Sequence, residues 1–305
     1  SHVLGRWRHM VEPYLEALFR ELRFISEQMK DYTLDTVYIG GGTPTTLTPD
    51  QMRRLLTVLS EEFPLEQVQE LTVEAGRPDT ITREILEVLR EFPVSRISIN
   101  PQTMNQETLD IIGRRHTVEE TVEKFHMARE LGFDNINMDL IVGLPGEDKE
   151  KVAHTLEEIE ALSPDSLTVH SLALKRGTRL NLMKDQYEEI SFENSAEIMD
   201  MTQDCARRMG MGPYYMYRQK NIAGNFENVG YSREGKAGIY NILIMEEKQS
   251  ILAAGAGAST KFVFQNGERI ERVENVKDLK NYVERIDEMI ERKRKGIRMY
   301  LRNGK

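Results

Sequence analysis

Residues 35–63 read DTVYIGGGTPTTLTPDQMRRLLTVLSEEF. A short apolar run with β-branched and aromatic residues stops at three consecutive glycines, Gly40 to Gly42, and Thr43-Pro44 closes them. The stretch from Thr48 then predicts a helix, with Thr48 as N-cap and Pro49 at the first helical position. The stretch is therefore a strand, a bare loop and a helix. The loop alone does not name a ligand. It lacks the Lys-Ser/Thr of a phosphate-binding P-loop and the G-x-G-x-x-G spacing of a dinucleotide fold. Exposed amides at a strand end bind a carboxylate or carbonyl as readily as a phosphate.

The same unit repeats on both sides. VEPYLEALFRELRFISEQM (11–29) is amphipathic, with Tyr14, Leu15, Leu18, Leu22 and Ile25 on one face. Strand signals begin near residues 35, 69, 94, 134 and 165, and helical patterns lie between them. Thr117 and Glu120 form a capping-box signature at the start of one helix, and Gly132 ends it. Continuous strand–helix alternation predicts a parallel sheet with helices outside, and this many units suits a barrel or partial barrel. The order begins with a helix, so a strand is expected ahead of residue 1. After residue 185 the pattern changes to one more amphipathic helix and an aromatic, basic, glycine-punctuated stretch. A Gly-rich turn, a hairpin and a charged terminal helix follow. The expected division is residues 1–185 as the partial barrel and 186–305 as an α+β cap.

With 305 residues, of which 39% are hydrophobic, the chain can bury a large core. A net charge of −9 argues against sequence-independent nucleic-acid binding, which depends on neutralising phosphates. No apolar run approaches the ~20 residues of a membrane helix. The opening residues carry no secretory signal, and the single cysteine, Cys205, forms no internal disulfide, which together predict a cytoplasmic protein. Cys205 lies in a helical pattern and reads as a buried structural thiol.

Ligands of parallel strand–helix folds bind at the carboxyl ends of the strands. Those ends carry Gly41, Gly42 and Thr43, then Glu74, then Gln102, then Asp139, then His170 and Ser171. Glu74 also suits a helix cap and Gln102 a turn. Asp139, between Met138 and Leu140, is costly inside an apolar strand unless paired. Arg114 reads as a solvated helix end unless an anionic ligand recruits it.

The segments YIGGGTPT, TVEAGRPD, ISINPQT, NINMDLIVGLPGE and HSLALKRGT, with AAGAGAS (253–259) later, resemble the radical S-adenosylmethionine (SAM) enzymes. Within them they resemble the oxygen-independent coproporphyrinogen III dehydrogenase group and its paralogues, in a branch of Gram-positive type. The resemblance covers essentially the whole chain. It implies a partial (β/α)6 TIM-like radical SAM barrel with a C-terminal α+β cap. It also implies that Gly41, Gly42 and Thr43 hold the amino-acid end of SAM, that Glu74 contacts SAM, that Gln102 is the family's cofactor-binding glutamine, and that Arg114 is a partner for the SAM carboxylate. Asp139 would bind the ribose and Ser171 would approach the adenine. The implied chemistry is cleavage of SAM by a reduced 4Fe-4S cluster, followed by hydrogen abstraction from a propionate. Oxidative decarboxylation to a vinyl group follows, giving protoporphyrinogen IX in anaerobic haem and porphyrin biosynthesis. The electron would come from a donor such as a flavodoxin or ferredoxin. Arg218, Lys220, Arg233, Lys236 and Lys261 are candidate contacts for the substrate carboxylates, and Tyr214, Tyr215, Tyr217 and Tyr231 for the macrocycle.

The chain departs from the family pattern in three places. EAGRPD replaces E-x-N-P, and Asn100-Pro101 replaces Gly-Val ahead of Gln102. The C-x3-C-x2-C cluster motif is not in these residues, so its cysteines are expected upstream of Ser1, and this stretch alone is expected to be inactive without them. The sequence gives no protein residue a catalytic role. A rival reading within the resemblance is a haem-binding chaperone without dehydrogenase activity, with His116, His126, His154 and His170 as candidate axial ligands. A third is a cluster-less scaffold.

Overall fold

The computed structural model describes residues 8–172, 194–217 and 227–303. The expected alternation is realised as α1 (Val11–Met29), β1 (Thr36–Ile39), α2 (Pro49–Glu62), β2 (Glu70–Gly76), α3 (Arg83–Arg90), β3 (Arg96–Gln102), α4 (Gln106–Ile111) and α5 (Val118–Glu130). It continues with β4 (Ile136–Val142), α6 (Lys149–Leu162), β5 (Ser166–Ser171) and α7 (Ala196–Arg208). Local chemistry sets the helix starts. Thr82 and Asp148 accept amides of the first turns of α3 and α6, and Thr117 and Glu120 complete the capping box of α5. Thr48 and Gln51 exchange side-chain and backbone bonds at the start of α2.

Two compact units emerge. The larger runs over Thr36–Met52 and Gln69–Ile239. Strands β1 to β5 pair in parallel in chain order and form a curled half-barrel sheet. Two further strands, β6 (Gly212–Tyr217) and β7 (Asn228–Ser232), extend it antiparallel in the order β5-β7-β6. Alternation alone does not show these two strands, because Pro213 and Gly230 interrupt the strand signal and β6 is mostly exposed.

In β1 to β5 successive side chains point to opposite faces. One face carries Leu71, Val73, Ile97, Ile99, Ile136, Met138, Leu167 and Val169, all fully buried at 0% exposure. The buried apolar residues of α3, α5, α6 and α7 complete that core. The other face carries Tyr38, Glu74, Arg96, Ser98, Asn137, Asp139, Ser166, Thr168 and His170. A half-barrel with one polar face has a chemically useful interior, unlike the apolar fill of a closed barrel.

The second unit comprises the described residues up to Asp35, Arg53–Val68 and the chain from Tyr240 on. It holds α1, most of α8 (Ile239–Glu246), the hairpin β8 (Ser259–Phe264) and β9 (Arg269–Glu274), α9 (Leu279–Glu284) and α10 (Ile286–Asn303). Phe24, Ile25, Phe262, Phe264 and Ile297 form one of its cores. Beneath the turn at Gly255–Gly257 lies a buried charge pair, Glu21 and Lys293, each 0% exposed and 3.2 Å apart.

Candidate functional site

At the carboxyl end of β1 each glycine of the triplet has its own reason. A Cβ on Gly40 would lie 2.5 Å from Tyr38 Cε1 and 3.0 Å from Glu74 Oε2, so only glycine lets these side chains pass. Gly41 and Gly42 adopt φ of 76° and 73°, in the left-handed region, with open space where a Cβ would point. The loop is anchored behind them: Thr45 Oγ1 donates to the Ala75 carbonyl at 2.5 Å, and Thr46 Oγ1 to the Thr43 carbonyl at 2.7 Å. The result is a fixed, exposed pair of glycines between two pinned ends.

Glu74 faces this loop. One carboxylate oxygen accepts the Gly41 amide at 3.3 Å and the other accepts the Tyr38 hydroxyl. Burial and the neighbouring Asp139 push the Glu74 carboxyl upward. The Tyr38 bond, the Gly41 amide and Arg96 oppose this, but the net direction is up. Tyr38 is itself driven upward by burial and by Glu74.

Asp139 is half-buried on β4. Asn137 Nδ2 donates to its Oδ1 at 2.6 Å, and His170 Nε2 from β5 lies 3.6 Å from its Oδ2. Burial disfavours the carboxylate, but the His170 contact, the Asn137 amide and Arg96 outweigh it and hold Asp139 below its ordinary value. His170 shows the mirror image. Burial disfavours its imidazolium, and Asp139, with Glu74 adding, raises it above the ordinary imidazole value. Asn137 is itself fixed: its Oδ1 accepts Ser166 Oγ at 2.9 Å and Thr168 Oγ1 at 3.1 Å, and its Nδ2 also donates to Ser98 Oγ at 3.0 Å. Arg96, 2% exposed, reaches Ser166 Oγ at 3.1 Å and lies beneath both carboxylates as a buried cation.

Gln102 ends β3 in the left-handed region at φ 70°, where the pairing with β4 slips register. His116 Nε2 bonds the preceding Pro101 carbonyl at 3.1 Å and fixes this bulge. Gln102 Oε1 is buried without a hydrogen-bond partner among the described residues. Arg114, two residues before His116, is half-buried; its backbone amide donates to the Leu109 carbonyl at 2.8 Å, and its guanidinium has no hydrogen bond or ion pair among the described residues. Burial, and then the nearby Arg77, lower its guanidinium pKa, with Asp79 opposing. Tyr215 reaches in from β6. Its ring lies across Gly230, where a Cβ would meet Cε1 at 2.0 Å, and its hydroxyl bonds the Thr168 side chain beside Asp139.

The structure therefore brings Glu74, Asp139 and Tyr215 together on one face, beside Gly41 and Gly42, with Thr43 continuing the loop. Gln102 and Arg114 follow at the end of the next strand and its loop. It does not bring the Ser171 hydroxyl there: Ser171 points to the opposite face, 3.9 Å from Met199 Sδ, and His170 takes the inward position. Arg233 sits at the amino-terminal end of β5, donating to the Met209 carbonyl at 3.0 Å and lying 3.7 Å from Asp165. Lys236 pairs with Asp134 at 3.4 Å, and buried Tyr231 bonds Thr202. Lys261 belongs to the second unit, where it donates to the Ile244 carbonyl at 3.1 Å and faces Glu247. Arg218 and Lys220 lie outside the described residues. His126 and His154 are exposed on helices. Sequence reasoning missed Tyr38, Arg96 and Asn137, and named His170 as a strand-end group and a haem-ligand candidate, not as the partner of Asp139.

Chemically, the site offers amide donors and a guanidinium for a carboxylate, a buried amide oxygen in search of a donor, and two carboxylates for a cation or a diol. Among the described residues no group of three His, Cys, Asp or Glu side chains can hold a metal. Cys205 is fully buried, its thiol directed at the Leu156 carbonyl and pushed up to about 11 by burial, so it is no ready thiolate ligand. No described helix is long and apolar enough to cross a membrane.

Comparison with known proteins bears on this arrangement. The profile of the radical SAM superfamily matches residues 5–159. The chain is 47% identical over 290 residues to the oxygen-independent coproporphyrinogen-III oxidase-like protein HemZ of Bacillus subtilis, covering 94% of this chain and 58% of that protein. It is 30% identical over 281 residues to the heme chaperone HemW of Bacillus subtilis, covering 91% of this chain and 69% of that protein. Among solved structures it is similar to coproporphyrinogen III oxidase (HemN) from Escherichia coli, described as a radical SAM enzyme. The TM-score there is 0.69 at 24% identity, over 93% of this chain and 64% of that one, a likeness of fold. The chain thus spans roughly three fifths of the length of such relatives.

Proposed function

Because the chain belongs to the radical SAM superfamily, we propose that its strand-end cluster is the SAM-binding part of an oxygen-independent coproporphyrinogen III dehydrogenase-type enzyme. The observation that carries the reading is the set of unmet or exposed polar groups at one end of one sheet. These are the open Gly41–Gly42 loop, the orphaned Gln102 Oε1, and the Arg114 guanidinium without a described partner. They match the donors and acceptors of SAM's amino-acid end, and Asp139 matches its ribose diol. The residues present therefore fit SAM. They do not fit a 4Fe-4S cluster, for which the described residues offer no ligand set.

In this reading Gly41, Gly42 and Thr43 hold the amino-acid end and Glu74 takes the ammonium. Arg114 receives the carboxylate, the Gln102 amide oxygen accepts from the ammonium, and Asp139 accepts from the ribose. Bound SAM, given an electron from a cluster held outside the described residues, would supply hydrogen-abstracting chemistry, by which substrate propionates would become vinyl groups with loss of carbon dioxide and one electron. The protein's own part is orientation. The Asn137 amide fixes the Asp139 carboxylate, Tyr38 and the Gly41 amide fix Glu74, and the buried Arg96 eases the repulsion between the two carboxyl groups. Tyr215, laid over Gly230 beside Asp139, is placed to border a flat tetrapyrrole, with Arg218 and Lys220 following it in sequence as candidates for the substrate carboxylates. Ser171 contributes through backbone at most, and an electron donor of flavodoxin or ferredoxin type would serve the whole enzyme.

The likeness to a heme chaperone supports a second reading, haem binding without turnover. The experiment that separates them is anaerobic reconstitution, with iron and sulfide, of a form spanning the relatives' length, followed by SAM and coproporphyrinogen III. Protoporphyrinogen or its mono-vinyl precursor supports the dehydrogenase. Haem binding without product supports the chaperone, and the absence of both product and haem binding refutes both readings.

A further inference from the structure

The interior face presents two carboxylates and one imidazole to the same opening. His170 Nε2 lies 3.6 Å from Asp139 Oδ2, and the side chains of His170 and Asp139 are 38% and 23% exposed, so an incoming ligand can reach both. Glu74 stands on the same face, two strands from Asp139, and contributes to the field at His170. The other charged or titratable groups around the pair are sealed or engaged. Arg96 is 2% exposed beneath the carboxylates, Tyr38 donates to Glu74, and Tyr215 bonds Thr168. Arg114, half-buried with Arg77 and Asp79 as its charged neighbours, lies at the end of the next strand's loop and keeps its charge near neutral pH. His170 is thus the accessible group beside Asp139 whose charge can change near neutral pH.

We propose that His170 is the exchangeable counter-ion of this pocket: its imidazolium balances Asp139 and Glu74 until a cationic ligand binds, and its proton then leaves to solvent as the ligand's own positive charge takes that place. The inference rests on the SAM reading above, since SAM carries both an ammonium and a sulfonium. The balance is simple. One N–H bond of His170 breaks, the proton goes to buffer, no electron moves, and the pocket keeps its net charge. Two carboxylates close together favour one compensating charge, and a second cation beside an imidazolium is repelled. His170 is thereby a positioning and selectivity residue. A deprotonated His170 leaves Asp139 as a free acceptor for the ribose, and the exchange favours the sulfonium over its neutral thioether.

His170 titrates above the ordinary imidazole value in the free protein. Ligand cation lowers that midpoint, so proton release peaks between the bound and free midpoints. It vanishes well below both, where His170 stays protonated, and well above both, where it is already neutral.

The test uses the 305-residue chain with ring-labelled histidine, the His170 resonance being assigned by its loss in His170→Asn. Its titration is followed by NMR alone, with saturating SAM, and with S-adenosylhomocysteine. Calorimetry in two buffers of different ionisation heat counts the protons released. We expect SAM to weaken the proton affinity of His170 about tenfold, or about one pH unit, with a smaller effect from the thioether. We also expect the proton release to disappear in His170→Asn while SAM still binds. SAM binding that leaves the His170 midpoint unchanged, or proton release that persists in His170→Asn, overturns the exchange while leaving the SAM site standing. Absence of binding by either nucleoside refutes the SAM site and the exchange with it. A structural role for His170 alone would not move the proton count.

Discussion

Consider Lys293→Met, made in two backgrounds. Glu21 sits at 0% exposure and accepts four donors. They are Lys293 Nζ at 3.2 Å, Asn275 Nδ2 at 2.7 Å, the Gly255 amide at 2.9 Å and the Tyr282 hydroxyl. Lys293, also 0% exposed, gives its other hydrogens to the Ala253 carbonyl at 2.8 Å and Thr260 Oγ1 at 3.1 Å. Removing Lys293 leaves a carboxylate that keeps three neutral donors, and breaking a buried pair from one side costs about 3–5 kcal/mol. Removing Glu21 instead, as in Glu21→Leu, strands the ammonium and three donors, and is the more damaging change. In that background Lys293→Met deletes the stranded charge, so it should stabilise the protein by about 1–3 kcal/mol. The sign of the same substitution thus reverses. A second signature is pH dependence. In Glu21→Leu the folded state holds the Lys293 proton less tightly than the unfolded state does. Its stability therefore climbs as pH rises through the range in which Lys293 loses that proton. Guanidinium unfolding midpoints of the wild type, both single variants and the double variant, at pH 7 and 9, make the measurement. Equal destabilisation by Lys293→Met in both backgrounds would refute the buried pair as the organising contact under the turn at Gly255–Gly257.

Three further outcomes follow from local geometry. Gly40→Ala places a Cβ 2.5 Å from Tyr38 Cε1, so Tyr38 and Glu74 must move, and overpacking of about 1–3 kcal/mol should weaken SAM binding about tenfold or more by calorimetry; unchanged affinity would detach the loop from the site. Gly230→Ala drives a methyl into the Tyr215 ring at 2.0 Å, and adding Tyr215→Ala should recover part of the lost thermal midpoint, whereas additive losses would contradict the stacked geometry. Cys205, buried with its thiol pushed up to about 11, should resist thiol reagents at pH 8 in the native protein and react on unfolding; fast native labelling would place it elsewhere.

Much of this was legible in the residues. The five parallel strands begin within two residues of the signals read near 35, 69, 94, 134 and 165, because buried strands bounded by capped helices leave clear edges. Glu74, Gln102 and Asp139 were found by asking what stands at strand ends. What escaped was the alternation inside the strands. RISIN, INMDL and SLTVH each place a polar side chain every second residue, which marks a polar inner face and would have exposed Arg96, Asn137, Ser166 and Thr168. Ser171 and His170 show how narrow the margin is, since a shift of one residue changes the face. Arg233 could not be placed from sequence, because β7 runs antiparallel and puts it at the amino-terminal ends of its neighbours. The pairing of Glu21 with Gly255 is also beyond local reading: the partners are 234 residues apart and meet only through tertiary packing.

The most direct measurement is a structure of this chain with S-adenosylhomocysteine, an unreactive stand-in for SAM, bound. The account predicts its amino-acid end against Gly41–Thr43, its carboxylate toward Arg114, and its ribose hydroxyls within hydrogen-bond distance of Asp139. A nucleoside bound away from the carboxyl ends of β1 to β4, or a site left empty at saturating ligand, would contradict it.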